Sequence, residues 1–191
     1  SGSQLCSFTD PGDSFVCISG FTSPTGLIEF KGVLYFQASG SNGKELWAYT
    51  GSGSAYEVYD INKSGNSLPN AFRVFGDKLY FQADDGTNGA ELWSYDGTND
   101  PQLVANLASG SGGSAPTGLT MCGDKLFFNA DDKSGSGAEL WEYNGVDAPT
   151  MVEEMNTAGA GNPQQLTCLN GSLYYTYTLG TSTEWWVYED T

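Results

Sequence analysis

Residues 76–97 read GDKLYFQADDGTNGAELWSYDG, and two motifs within this stretch recur along the chain. The first motif is Leu-aromatic-aromatic, found at residues 34–36, 79–81, 126–128 and 173–175. The second is Glu-Leu-Trp at 45–47, 91–93 and 139–141, with Glu-Trp-Trp at 184–186. A proline lies ten residues before each Leu of the first motif, and the proline spacings are 45, 47 and 47. One unit of roughly 46 residues is therefore repeated, a period typical of propeller blades and helical solenoids.

The apolar runs favour strands over helices. Each run spans four to six residues, with apolar and polar side chains alternating, and Gly and Pro fall between the runs. In the second unit we predict strands at 70–75, 78–83, 90–95 and 102–107. Its first two strands flank the two-residue turn Gly76-Asp77, and similar turns recur at Lys31-Gly32, Gly123-Asp124 and Asn170-Gly171.

Four antiparallel strands per unit predict an all-β fold, a four-bladed β-propeller. The whole chain, 1–191, forms one domain in this interpretation, with blades at 24–68, 69–115, 116–162 and 163–191. The last unit supplies only three strands. We therefore predict that the apolar run 14–19 becomes the outer strand of the last blade and closes the ring, because closure removes sheet edges.

The charge balance limits the partners. Seven basic residues against 23 acidic ones give a net charge of −16. Nucleic acids and anionic lipid surfaces are held by clustered Lys and Arg, so neither is an expected partner. No apolar run reaches the roughly 18 residues of a membrane span, so we expect no membrane insertion.

Two Asn-x-Ser sequons predict N-glycosylation at Asn62 and Asn170, and together with four cysteines they indicate an extracellular location. Cys122 and Cys168 fall on opposite faces of the innermost strands of consecutive blades, which are the faces that meet. This favours a Cys122–Cys168 disulfide and a second one between Cys6 and Cys17. A pairing of Cys6 with the inner strands stays open.

The repeated motifs resemble a known family. Residues 91–98, ELWSYDGT, and more loosely 139–145, ELWEYNG, are similar to the ELWxxDGT repeats of bacterial and environmental surface proteins, as are GDKLYF at 76–81 and GDKLFF at 123–128. The resemblance covers residues 24–191, and the chain departs from the pattern at 48–51 and 187–190. It implies a surface location and an architecture without a defined chemistry. Four blades in about 190 residues is also similar, in size alone, to the hemopexin-type propeller.

Several side-chain groups are candidates for a site. The repeated Glu is interpreted as structural, accepting hydrogen bonds from a neighbouring turn. Two acidic loops could hold calcium through their adjacent carboxylates, and three aromatic residues that break the repeat register could contact a ligand. The candidate metal ligands are Asp84, Asp85, Asp131 and Asp132, and the candidate ligand-binding residues are Tyr56, Tyr177 and Trp185.

We predict a non-enzymatic extracellular module that contacts another surface protein or copies of itself. The chain has no His and no nucleophile or phosphate-loop motif, so no catalytic residue is predicted. The alternative is a carbohydrate-binding lectin, either calcium-dependent or calcium-independent. Calcium is the one cofactor that the acidic loops suggest.

Overall fold

The protein is an all-β chain of antiparallel sheets, as predicted. The computed structural model describes residues 3–7, 16–152 and 159–189, and these ranges contain 17 strands and no helix. The strands are β1 Cys6–Ser7, β2 Val16–Cys17, β3 Thr22–Phe30, β4 Val33–Gly40, β5 Gly43–Tyr49, β6 Tyr56–Tyr59, β7 Asn70–Phe75, β8 Lys78–Asp84, β9 Ala90–Tyr95, β10 Gln102–Ala105, β11 Thr117–Cys122, β12 Lys125–Ala130, β13 Glu139–Tyr143, β14 Thr150–Met151, β15 Gln164–Leu169, β16 Ser172–Leu179 and β17 Ser182–Tyr188.

Each repeat unit forms its own sheet. The first, second and third sheets contain β3–β6, β7–β10 and β11–β14, and the fourth contains β15–β17. Within every sheet the strands follow chain order and each pairs with its sequence neighbour. The predicted strands of the second unit match β7, β8, β9 and β10 to within two residues. The turn chemistry also matches, since Gly76 has a φ of 57° between β7 and β8.

The predicted ring closure is wrong. Within the described residues, Val16–Cys17 pairs with Cys6–Ser7 in a separate two-stranded sheet, with Cys6 opposite Cys17. It forms no ladder with β17, and the fourth sheet has three strands. The apolar pattern of 14–19 identified a strand, but hydrogen bonding to β1 decides its position. Residues 14 and 15 of that prediction lie outside the described residues.

The innermost strands, β3, β7, β11 and β15, share one backbone device. Each contains or directly follows a proline, and the residue before that proline has a positive φ, between 44° and 53°. The second residue after the proline also has a positive φ. All four strands show a register shift at this point, the mark of a β-bulge. Beyond the bulges, the four strands line one cavity of about 510 Å³, here called the shared cavity.

The hydrophobic core lies mainly between consecutive sheets. Leu46 of the first sheet packs in one cluster with Phe81 of the second. Leu92 packs in the same way with Phe128 of the third sheet, and Leu140 of the third sheet with Tyr175 of the fourth. Each Leu of the Glu-Leu-Trp motif therefore attaches its sheet to the next one.

Buried glutamates fasten these connections. Glu45, Glu91 and Glu139 are fully buried. Glu45 accepts hydrogen bonds from the amides of Ile61 (3.1 Å) and Ser67 (2.9 Å) and from the Ser67 hydroxyl. Ser67 in turn lies beside the second sheet, where its carbonyl accepts from the Asp84 amide. Each of the three carboxylates thus holds the segment that leads into the next sheet, so we call these residues the clamp glutamates.

Stability is expected to decrease as pH rises because of Glu45. Burial raises the pKa of its carboxyl, despite the opposing hydrogen bonds from Ser67 and Ile61. A raised folded pKa means that the Glu45 contribution is fully present below the unfolded value of 4.5 and is lost as pH rises through the folded value. Urea unfolding between pH 4.5 and 7 should therefore show a steeper decline in the wild type than in Glu45→Gln. Equal declines would contradict this assignment.

Both predicted disulfides are confirmed. Cys6–Cys17 joins β1 to β2, and Cys122–Cys168 joins β11 of the third sheet to β15 of the fourth. The described residues contain no free cysteine. The second disulfide links the innermost strands of two consecutive sheets, so it reinforces the same contact as the third clamp glutamate.

Candidate interaction surface

One face of the fourth sheet is apolar and exposed. It carries Leu169, Tyr174, Trp185 and Val187, whose exposed fractions lie between 40% and 68%. The strand register places them together, since Tyr174 is opposite Val187, and Trp185 lies two residues from Val187 on the same face of β17. We call these four residues the open face.

The equivalent residues of the other sheets are buried. Tyr35, Tyr80 and Phe127 correspond to Tyr174, and Leu46, Leu92 and Leu140 correspond to Trp185; all six are no more than 2% exposed. In those sheets this face packs against the following sheet. The fourth sheet carries the same contact face, but within the described residues no following sheet covers it.

The opposite end of the row of sheets is covered. Phe36 and Trp47 of the first sheet are buried in a cluster with Ile18 and Phe21, and Leu5 packs against it. The Ile18 amide donates to the Leu5 carbonyl at 2.9 Å, which fixes this cover. The two ends are therefore different: N-terminal residues cover the first sheet, and the face of the fourth sheet is open.

The outer edge of the fourth sheet adds to this surface. In the first three sheets a fourth strand pairs with the Glu-Leu-Trp strand, whereas β17 pairs only with β16 among the described residues. Glu184 is the only charged residue of β17, which contains neither Lys nor Pro. Natural edge strands carry charged residues, above all Lys, or Pro to prevent pairing with other chains. Because β17 has only Glu184 of this kind, its edge is open to a further strand.

The three aromatic candidates lie in different places. Trp185 is exposed on the open face, and Tyr56 is exposed on β6, the outermost strand of the first sheet. The prediction that Tyr177 contacts a ligand at the surface is wrong. Its side chain is fully buried and its hydroxyl donates to the clamp glutamate Glu139.

The sequence contains a sign of this role that the prediction missed. Tyr177 replaces Ala83 and Ala130 of the preceding units, and Gly161 replaces Ser67 and Ser114. A Cβ added at Gly161 would lie 2.0 Å from the Tyr177 ring. At the junction of the third and fourth units, a glycine and a tyrosine therefore replace a serine and an alanine, and the phenol takes over the hydrogen bond of the serine hydroxyl.

The acidic loops are organised as Asx turns. Asp84 accepts from the Gly86 amide at 2.7 Å, Asp85 from the Thr87 and Asn88 amides, and Asp132 from the Ser134 amide at 2.9 Å. Burial alone would raise the pKa of Asp85, but the hydrogen bonds from Asn88 and Thr87 outweigh it and lower the pKa. The calcium assignment stays a prediction, since turn chemistry explains these contacts.

Asp131 is paired with a cation. It accepts from both the amide and the ammonium group of Lys133, each at 2.8 Å, and the hydrogen bond from the ammonium group is the main reason that the pKa of Asp131 is lowered. Within the described ranges, no group of three or more Asp, Glu, Cys or His side chains is arranged to hold a metal ion.

The two sequons differ in access. Asn170 is exposed in the turn between β15 and β16. Asn62 is buried, its amide nitrogen donates to the Asn66 carbonyl at 3.1 Å, and its oxygen accepts from Ser64. The prediction of a glycan on Asn62 is therefore wrong for the folded chain, because a sugar would displace these contacts.

Comparison with known proteins assigns no family. The chain matches no family model, and no curated protein sequence matches it. The described residues also contain no helix long and apolar enough to cross a membrane. The fold and its surfaces are consequently the basis for any functional conclusion.

Proposed function

We propose that this chain is a non-enzymatic, extracellular structural module, built as an unclosed set of four β-propeller blades, that associates with further copies of itself. The open face carries this proposal. It presents the apolar contacts that the first three sheets use to pack against a neighbour, and burying such a face is the main driving force of protein association.

The arrangement of the four sheets supports the propeller. Their innermost strands line the one shared cavity, and consecutive sheets pack face to face. Radial repetition of four-stranded sheets around such a space is the architecture of a propeller blade set. Two disulfides support an oxidising, extracellular location.

A second copy is the partner that this surface fits best. The open face occupies the positions through which the first three sheets pack against a sheet of this repeat, with Tyr174 matching Tyr35 and Tyr80 and the larger Trp185 at the Leu position. The net charge of −16 opposes the approach of two copies at long range, and salt screens that repulsion over about 8 Å at physiological ionic strength. Association should therefore strengthen as salt is added.

Trp185→Glu is expected to abolish self-association. A carboxylate at the most exposed residue of the open face would be desolvated in the contact, which costs several kcal/mol. Light scattering over a range of concentrations should show a concentration-dependent mass for the wild type and a constant monomer mass for the variant.

Val146→Glu is the matched control. Val146 is 86% exposed, more than any other large apolar residue described, and it lies in the turn between β13 and β14, away from the open face. This variant carries the same added charge and should associate like the wild type. A wild type that is monomeric at all concentrations and salt levels would contradict the proposal.

The lectin alternative rests on the exposed rings of Trp185 and Tyr56, because aromatic faces are suited to sugar rings. A glycan array with and without chelator tests it directly. Specific sugar binding would replace the purely structural function, and binding lost on chelation would also establish the calcium dependence.

A further inference from the structure

The shared cavity contains the only arginine of the chain. Arg73 lies on β7, and the other residues that line the cavity come from β3, β7, β11 and β15. The repeat places Ile28, Thr120 and Thr167 at the equivalent positions. Since three units fold with an uncharged residue there, the repeat itself does not require a guanidinium at this place.

Arg73 is held in a fixed orientation. Its Nε–H donates to the Leu119 carbonyl of the neighbouring sheet at 2.8 Å. The side chain is exposed, and within the described residues it has no acidic partner and no contact for its two terminal nitrogens. Among the residues that the structure describes, no Asp or Glu lines the cavity. A solvent-facing pair of N–H donors is thus left available in a chain that is otherwise strongly acidic.

The remaining lining is mainly apolar. Leu27, Phe72 and Leu166 belong to this lining, and the Phe72 ring lies beside Gly26 and the Leu166 side chain beside Gly118. Leu119 is only 3% exposed and contributes its backbone. The Thr120 hydroxyl is already used, since its one hydrogen is shared between the carbonyls of Gly118 (2.9 Å) and Leu166 (3.2 Å). Gln165 is the other polar residue of the lining. An incoming anion would therefore meet one cationic group, the Arg73 guanidinium, in a mainly apolar cavity. The volume of about 510 Å³ falls within the range of small-molecule sites.

We infer that the shared cavity binds a carboxylate attached to an apolar group, with the carboxylate on Arg73. A guanidinium presents two parallel N–H donors that match the two oxygens of a carboxylate. Leu27, Leu166 and Phe72 would bury the apolar group, which gives preference over small inorganic anions. Two sources share this chemistry: a free monocarboxylate, and the C-terminal carboxylate of an apolar peptide.

Titration followed by NMR tests this inference. The probes are phenylacetate, its neutral amide phenylacetamide, acetate, and the peptide acetyl-Gly-Leu as free acid and as amide. We expect phenylacetate or the peptide acid to saturate one site per chain, and the matching amide and acetate to bind at least tenfold more weakly. Shifts should map to the cavity strands. Stronger binding of one acid over the other identifies the source.

Arg73→Thr is the decisive variant, because Thr occupies this position in the third and fourth units and should fold normally. It should lower the affinity for the acid at least tenfold, and Arg73→Lys should lower it by a smaller factor. Lys44→Thr removes the same charge from an exposed position outside the cavity and should leave binding unchanged.

Equal binding of acid and amide, or equal affinity in the wild type and Arg73→Thr, would overturn the inference. The inference would also be overturned if neither phenylacetate nor the free acid of the peptide bound to the protein. Repeating the titration in the Trp185→Glu background separates it from self-association, because the cavity residues and the open face share no residue.

Discussion

Glu91→Ala is expected to lower the free energy of unfolding by about 4 kcal/mol, since unpaired buried polar groups cost roughly 1–3 kcal/mol each. The Glu91 carboxylate accepts from the amides of Leu107 (3.3 Å), Ala108 (3.1 Å) and Ser114 (3.0 Å) and from the Ser114 hydroxyl. Alanine leaves all four donors without an acceptor in the contact between the second and third sheets. Removal of a buried charge offsets part of that loss.

Glu184→Ala is the control within the same motif. Glu184 occupies the equivalent position of the fourth unit, but it is exposed and lies on the edge strand β17. Its replacement should change stability by no more than about 0.5 kcal/mol. Urea unfolding of both variants measures the difference. If both variants lost a similar free energy of unfolding, the buried hydrogen bonds of Glu91 could not be the cause of the destabilisation.

Gly161→Ser and Tyr177→Ala should each destabilise the protein strongly and largely rescue each other. Serine at 161 would collide with the Tyr177 ring, and alanine at 177 leaves a cavity and removes a hydrogen bond to Glu139. Truncation of a large buried side chain costs about 3–5 kcal/mol. The double variant recreates the Ser-Ala pair of the second and third units, Ser67 with Ala83 and Ser114 with Ala130.

The size of the rescue is measurable as a coupling free energy. We expect about 2–3 kcal/mol in a double-mutant cycle, the upper range for residues in direct contact. Thermal or urea unfolding of the four proteins gives this value. If the losses of unfolding free energy in the two single variants simply added in the double variant, the glycine and tyrosine would not be a coupled replacement of the Ser-Ala pair.

The repeat predicted the sheets well because the local signals agree. The alternating runs, the Gly76-Asp77 type of turn and the prolines each point to the same strand boundaries, and the structure follows them to within two residues in the second unit. The Cys122–Cys168 disulfide was also predictable, because strand parity places these two cysteines on facing sides of consecutive sheets; parity did not determine the partner of Cys6. These properties depend on residues close in sequence or on positions that the repeat fixes.

The parts that failed depend on contacts between distant segments. The run at 14–19 has the pattern of a strand, but that pattern does not state which edge it joins, and pairing with β1 was as open to it as pairing with β17. Tyr177 departs from the repeat, which suggested a surface role. Only the simultaneous change at Gly161 shows that the departure is a compensated core substitution.

Oxidative footprinting of the five tryptophans tests the account most directly. Trp185 is exposed, whereas Trp47, Trp93 and Trp141 are at most 8% exposed. At low protein concentration we predict that Trp185 is oxidised far faster than these three, and that it becomes protected as concentration rises and copies associate. A Trp185 that is protected even at the lowest concentration, or exposed at every concentration, would contradict the account.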